Sequence, residues 1–478
     1  MMRITDEERE RERALFEAER RNAPELFIRP PMIDDDEVLR TVGIDGLPAG
    51  RPAAYLKLMP QDFIVEEVGR DGRVHAATAE EESVSVSAEE EEGSTYYADL
   101  VKVGISTLEA KDQLAHVLGI EGKNIGFAGV KDRLALTSQA ISIRGLADRD
   151  ALARVHEENL LLRDIRRGKG AMANGDLKGN KFTIALRFAE PLTGAAKDLV
   201  EEQLAIAKEE GFWNFFYLQR FGTPRLIAHE LGRLLVQGRY ENVVKAFVTH
   251  RSPRELPYFA AIREDAEGRW GDWRALREAF DRFPYHFGIE RTFVAHLMER
   301  PDDFLGALRE VPDQVRLWFY AYDSLLFNER LSALIRSGEV PLELPFLTSF
   351  RQEDWKPYAE YLARDGVSLP ARSWRDFPFV RVESRKCATL QTVDIHKASF
   401  EGNVGAVSFF LPKGSYATSF LMNIFSLASG LPVVPGISME SVDPKAILGD
   451  GTLAPVLARF RSVLARRQAD IDAGEGGE

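Results

Sequence analysis

The chain has 478 residues, 45% of them hydrophobic and 29% charged, with a formal net charge of −13. That length exceeds one ordinary core, so two domains are expected, and the lone cysteine, Cys387, excludes an intrachain disulfide or a multi-cysteine zinc site. The eight scattered histidines lack HExxH spacing, no run of about 18 apolar residues marks a membrane span, and the charged start MMRITDEERERERALFEAERR is unlike a signal peptide, which fits a cytoplasmic protein.

Residues 3–22 alternate acidic and basic side chains around Leu15 and Phe16, which predicts an exposed helix that packs weakly at best. A proline- and glycine-punctuated lead-in follows to residue 52. Ala54 to Leu58 and Phe63 to Val68 read as strands about the turn Met59-Pro60-Gln61-Asp62. Residues 69–94 carry AEEESVSVSAEEEEGS, a low-complexity acidic tract expected to be a solvated insertion. Another strand is expected over Tyr96 to Gly104. Thr107 then reads as the N-cap of a helix reaching Leu118, with Leu108, Leu114, Ala115 and Leu118 buried.

Asn124 to Ile143, NIGFAGVKDRLALTSQAISI, joins a glycine-punctuated loop to an apolar–polar alternation. Asp132 stands between Lys131 and Arg133, whose charges favour an ionised carboxylate. Gly126 and Gly129 would permit a close backbone approach or a positive φ. One reading is a tight turn in which Asp132 caps an amide; the other is an ionised nucleophile or base at a loop tip.

Asp148 to Leu162 reads as a helix, Lys181 to Phe188 as a strand and Leu192 to Glu210 as mostly helical. Between them, Arg163, Arg166, Arg167, Lys169, Lys178 and Lys181 face only Asp164 and Asp176, a local basic patch. The net negative charge argues against a nucleic-acid partner, but seven glutamates of the tract 80–92 supply more than half of it. Aromatic, arginine-rich helices are expected from His229 to about Ser337, then a short strand at Phe377 to Val382, a strand at Val407 to Pro412 and a helix at Tyr416 to Ala428. Asn214 to Gly222 is aromatic-dense, as a core segment or a nucleotide pocket wall would be. Asp323 and Asn328 read as surface residues of an amphipathic helix.

In this order, Lys57 before Gln61-Asp62-Phe63, GFAGVKDRLALTSQ at 126–139, GNKFTIALR at 179–187, NFFYLQRFG at 214–222, AYDSLLFNERLS at 321–332 and LPKGSYAT at 411–418 resemble the TruD family of tRNA pseudouridine synthases. The resemblance spans most of residues 54 to 428. It implies an α+β protein with a discontinuous catalytic domain on a mixed sheet, 51–210 and 386–465, with the acidic insertion at 69–94. A second α+β domain, 211–385, would interrupt it, and RNA would lie between the two. Residues 1–50 would be a charged extension and 466–478 a disordered tail. The implied reaction isomerises a uridine of tRNA, typically uridine 13, and needs no cofactor or metal; a monomer is expected. Asp132 takes the catalytic place. Lys57, Phe63, Lys131, Arg133, Asn180, Phe182, Gln219 and Arg220 take substrate- or RNA-binding places, with Phe182 as the stacking residue and Asn180 its polar companion. Tyr217 stands where the family usually has glycine, and Asp323 where it has an uncharged residue. A non-catalytic RNA-binding or RNA-folding module on the same scaffold is the alternative; a nucleoside hydrolase would need a second carboxylate to activate water.

Overall fold

Contacts divide the chain into two units: 31–33 with 48–213 and 391–478, and 1–30 with 34–47 and 214–390. The computed structural model describes residues 6–78, 93–146, 150–153, 155 and 157–472, so most of the acidic tract lies outside the described residues.

The first unit is built on an eleven-stranded mixed sheet. Its strands are β1 (Met32–Asp34), β2 (Ala53–Tyr55), β3 (Phe63–Gly69), β4 (Thr95–Val103), β5 (Ile125–Phe127), β6 (Leu136–Arg144), β7 (Leu160–Gly168), β8 (Leu177–Arg187), β9 (Asp394–Glu401), β10 (Val404–Pro412) and β11 (Ser426–Ser429). Their order is β1-β11-β2-β8-β3-β6-β4-β7, with β10 pairing both β8 and β9, and β5 pairing β6. β3 runs antiparallel to β8 and parallel to β6.

Successive side chains on a strand point to opposite faces. One face presents Ile64, Val101, Val103 and Leu136, which pack against Leu453, Val456, Phe460 and Val463 from the C-terminal helices Ala454–Arg459 and Arg461–Asp472. The expected disordered tail is therefore helical through Asp472; residues 473–478 lie outside the described residues. The other face presents Tyr96, Ala98, Leu100, Ile141 and Ile143 to Ala110 and Leu114 of helix Thr107–Leu118. Full burial of each large apolar side chain contributes about 1.5–3 kcal/mol.

Several boundaries differ from expectation. The helix at 107–118 is capped by Ser106, which accepts from the Glu109 amide in a capping box, and this frees Thr107; Leu108 is exposed. Residues 160–162 are strand rather than helix, because β7 completes its hydrogen bonds along β4. Tyr416 to Ala428 yields only the helix Ala417–Leu421 before β11 begins.

The second unit is mainly helical, and its longest helix is Pro312–Ser337. Phe377–Val382 forms no strand there; helix Ser373–Asp376 leads into it. Asp323 and Asn328 are buried, not surface residues. Asn328 donates to the carbonyls of Val42 and Phe216 at 2.9 Å each and accepts from the Phe216 amide at 2.9 Å. The Asp323 carboxylate accepts from the amide and hydroxyl of Thr348, and burial pushes its pKa up to about 7. Tyr217 is buried, with its hydroxyl on the Asp34 carboxylate, which also holds Arg254. The N-terminal helix Asp6–Asn22 is seated more firmly than its thin stripe suggests: Phe16 stacks on Phe259, and Glu12 accepts from the amides of Tyr285 and His286.

Candidate active site

The loop between β5 and β6 carries Lys131, Asp132 and Arg133, and its backbone is fastened at successive points. Thr107 Oγ1 accepts from the Lys131 amide at 2.9 Å and donates to Gln139 Oε1 at 2.9 Å. Gln139 Nε2 in turn donates to the Gly129 carbonyl at 2.9 Å. Gly126 belongs to the same architecture. A Cβ there would lie 2.4 Å from the Met172 carbonyl oxygen and 2.7 Å from Ser142 Oγ, so its bareness admits the protein's own chain. Gly129 has no such neighbour, and neither glycine has a positive φ.

The three charged residues diverge. The Lys131 side chain is 4% exposed and donates to Glu67 Oε2 at 2.6 Å. Arg133 turns outward and meets Glu109 at 3.5 Å. Asp132 stays 47% exposed and accepts from Lys57 Nζ at 2.9 Å. Although half of the side chain meets solvent, desolvation by the surrounding protein would raise the Asp132 pKa, but Lys57, through its charge and hydrogen bond, and then Lys102 and Lys131 outweigh it and hold the carboxyl below its usual range. The principal cation is therefore not a sequence neighbour; it comes from 75 residues upstream.

Lys57 occupies left-handed backbone, φ 57°, which is disfavoured for a side-chain-bearing residue. Its flanks are heavily constrained. The Leu56 amide donates to the Ala428 carbonyl at 2.7 Å, and Arg467 Nε donates to the Leu58 carbonyl at 3.1 Å. The Met59 amide donates to Asp62 Oδ2 at 3.0 Å. Asp62 is itself gripped by both Nε and Nη2 of the fully buried Arg187, at 2.9 and 2.8 Å. Such a bidentate buried pair is rigid, and it fixes the turn from which Lys57 projects.

Sheet register places the remaining candidates. Glu67 lies opposite Asn180, Val65 opposite Phe182 and Phe63 opposite Ile184, so Phe63, Glu67, Asn180 and Phe182 share one face. Lys57 Nζ sits 4.0 Å above the Phe63 ring. Phe63 meets Phe182 edge-on at 6.0 Å, and Phe182 stacks on Phe409 at 5.3 Å; all three rings are buried. The Asn180 Oδ1 is buried and has no hydrogen-bond partner among the described residues. Gln219 and Arg220 belong to the other unit, in the short helix Leu218–Phe221, with the Arg220 guanidinium 5.3 Å above the Phe216 ring.

Sequence reasoning missed Lys102. It is fully buried, lies opposite Thr137 on the same face as Glu67, and donates from Nζ to the backbone carbonyls of Ile105 at 2.7 Å and Asp132 at 2.8 Å. Burial pushes its pKa down to about 7 against the pull of Asp132 and Glu109. A lysine within a strand-like apolar run, VKVG, was the available signal.

Among the described residues no group of three or more His, Cys, Asp or Glu could hold a metal ion, and no helix is long and apolar enough to cross a membrane.

Residues 51–345 match the family model for tRNA pseudouridine synthase D (TruD). A protein from Methanopyrus kandleri assigned as tRNA pseudouridine synthase D is 31% identical over 345 residues, covering 68% of this chain and 84% of the relative. One of the same assignment from Methanococcus vannielii is 29% identical over 387 residues, 78% of this chain and 95% of its own. The fold is similar to a crystal structure from Methanosarcina mazei described as TruD, with a TM-score of 0.63, 23% identity, and coverage of 82% of this chain and 98% of that one. The glycine-punctuated Asp loop, the sheet that carries it and these likenesses agree: the chain belongs to the tRNA pseudouridine synthase D family.

Proposed function

We infer that this protein is a tRNA pseudouridine synthase in which Asp132 does the chemistry, acting as a monomer in the cytoplasm, with uridine 13 as the target. The reaction breaks the N1–C1′ bond, forms a C5–C1′ bond, gives up the C5 proton and returns a proton to N1, so composition is unchanged and no donor is consumed. The observation that carries the assignment of Asp132 is its half-exposed carboxylate held ionised by Lys57 at 2.9 Å. An ionised, reachable carboxylate is what a nucleophile or base requires.

A flipped uridine must be unstacked at a cost of a few kcal/mol and its polar edge satisfied. Asn180 Oδ1, a buried acceptor without a partner among the described residues, suits the uracil imide N–H. Phe63 and Phe182 supply the apolar wall beside it. Arg133, exposed at the loop's outer side, and the basic run 163–181 suit phosphate. Lys131 supports the loop through Glu67. A non-catalytic RNA-binding module would draw its support from Tyr217 and the acidic insertion, and the buried Tyr217 instead bonds Asp34.

Asp132→Asn tests the reading. The variant should fold and bind tRNA yet form no pseudouridine, by carbodiimide labelling and primer extension on tRNA from a deletion strain. Full pseudouridine formation by Asp132→Asn would reject Asp132 as the catalytic group, and an unchanged pseudouridine map in the deletion strain would reject the activity.

A further inference from the structure

We propose that Lys102 is a positioning residue for Asp132, its buried ammonium clamping the Asp132 main chain so that the carboxylate meets Lys57 and the substrate. This rests on the assignment of Asp132 as the catalytic group.

The geometry is unusual for a lysine. The side chain is fully buried, and Nζ donates to two main-chain carbonyls, Ile105 at 2.7 Å and Asp132 at 2.8 Å. Neither is a carboxylate. A buried ammonium normally requires direct ion pairing, and here its strongest opposing charge is the Asp132 carboxylate, followed by Glu109. The relation is reciprocal, since Lys102 ranks after Lys57 among the cations that hold Asp132 ionised.

The two cations divide the work. Lys57 reaches the Asp132 carboxylate from outside the loop, whereas Lys102 holds the carbonyl of the same residue from the sheet beneath. Side chain and main chain of one residue are thereby fixed from two directions. The Ile105 carbonyl lies just ahead of Ser106 and Thr107, and Thr107 binds the Lys131 amide. A single ammonium thus ties the start of helix Thr107–Leu118 to the catalytic loop. A shift of about 1 Å in a reacting group can cost a hundredfold in rate, so a residue that sets the backbone beside Asp132 has kinetic leverage without touching substrate.

The experiment compares Lys102→Met, Lys102→Gln and Lys102→Arg with Asp132→Asn and the wild type. Turnover is followed by tritium release from tRNA labelled at uracil C5, and amide hydrogen exchange is followed across residues 129–134. Lys102→Met and Lys102→Gln should lower kcat tenfold or more with KM for tRNA within twofold. Loop amides should exchange at least tenfold faster while those of β8 keep wild-type rates, and the acidic limb of the kcat profile should move to higher pH. Lys102→Arg, which keeps the charge, should fall between. If Lys102→Met does not fold, Lys102→Gln and Lys102→Arg decide. Folded Lys102 variants with wild-type kcat, or with losses matched by faster exchange throughout the sheet, would overturn the proposal. Asp132→Asn separates the two failures: an active Asp132→Asn rejects the underlying assignment, whereas an inactive one beside fully active Lys102 variants rejects Lys102 alone.

Discussion

Removing the Lys57 ammonium while keeping its stem, as in Lys57→Met, isolates the electrostatic part of the site. The methionine would still pack on the Phe63 ring, 4.0 Å beneath the present ammonium. Asp132 would retain Lys102 and Lys131 as cations, but the charge that contributes most against burial would be gone. Two unit charges at the observed 2.9 Å attract by ~1.4 kcal/mol in bulk water and ~6 kcal/mol at an effective dielectric of about 20. Because the Asp132 side chain is 47% exposed, the lower end of that range applies. About 1.4 kcal/mol corresponds to tenfold in rate, so kcat should fall about tenfold. The acidic limb of the kcat profile should move to higher pH, because a carboxyl that has lost its nearest cation holds its proton more tightly and ionises only at higher pH. Lys57→Arg should recover part of the loss. The assay is tritium release at saturating tRNA across pH. Wild-type turnover with an unmoved acidic limb in a folded Lys57→Met would refute the claim that this pair sets the state of Asp132.

Two further outcomes follow from the packing. Gly126→Ala forces a Cβ against the Met172 carbonyl and Ser142 Oγ and should destabilise by about 1–3 kcal/mol in denaturant titration; Gly129→Ala, whose Cβ would meet only Lys131 Nζ at 3.6 Å, should stay within about 0.5 kcal/mol, and equal costs would contradict the close-approach argument. Asp323 has a folded-state pKa raised by burial to about 7 from 3.8, so the folded state holds this proton more tightly and the stability it confers is present at low pH and lost as pH rises through about 7. Asp323→Asn should remove that slope, worth at most about 4 kcal/mol, and make the variant the more stable protein above pH 7; parallel stability–pH curves would show that the carboxyl is not protonated in the fold.

Much of the site's local character was legible in the sequence. The glycine punctuation and charge triplet of GFAGVKDR mark a loop with an ionisable tip, and the alternation in LALTSQAISI and KFTIALR marks β6 and β8, because strand periodicity is a property of consecutive residues. The order of motifs was enough to point to the family. Local pattern was insufficient at 160–162, where hydrogen bonding along β4 made strand of an apolar stretch that also suits a helix, and at Ser106, one residue ahead of the expected cap.

The partners of the catalytic loop belong to tertiary structure. Alternation says which residues share a face, but not which strands become neighbours. Only the order β8-β3-β6-β4 brings Glu67 under Lys131 and Lys102 under the Asp132 carbonyl. Tyr217, which by position alone suggested an altered site, is accounted for by Asp34, 183 residues away. From the sequence alone, Asp132 stands between two cations; in the fold Lys131 turns to Glu67, Arg133 to Glu109, and the cation that binds its carboxylate is Lys57, whose left-handed backbone is flanked by contacts to Ala428 and Arg467 from the C-terminal part of the chain. The physical reason is that a charge acts through distance in space, and that distance is set by strand register and buried anchors such as Arg187–Asp62, not by adjacency along the chain.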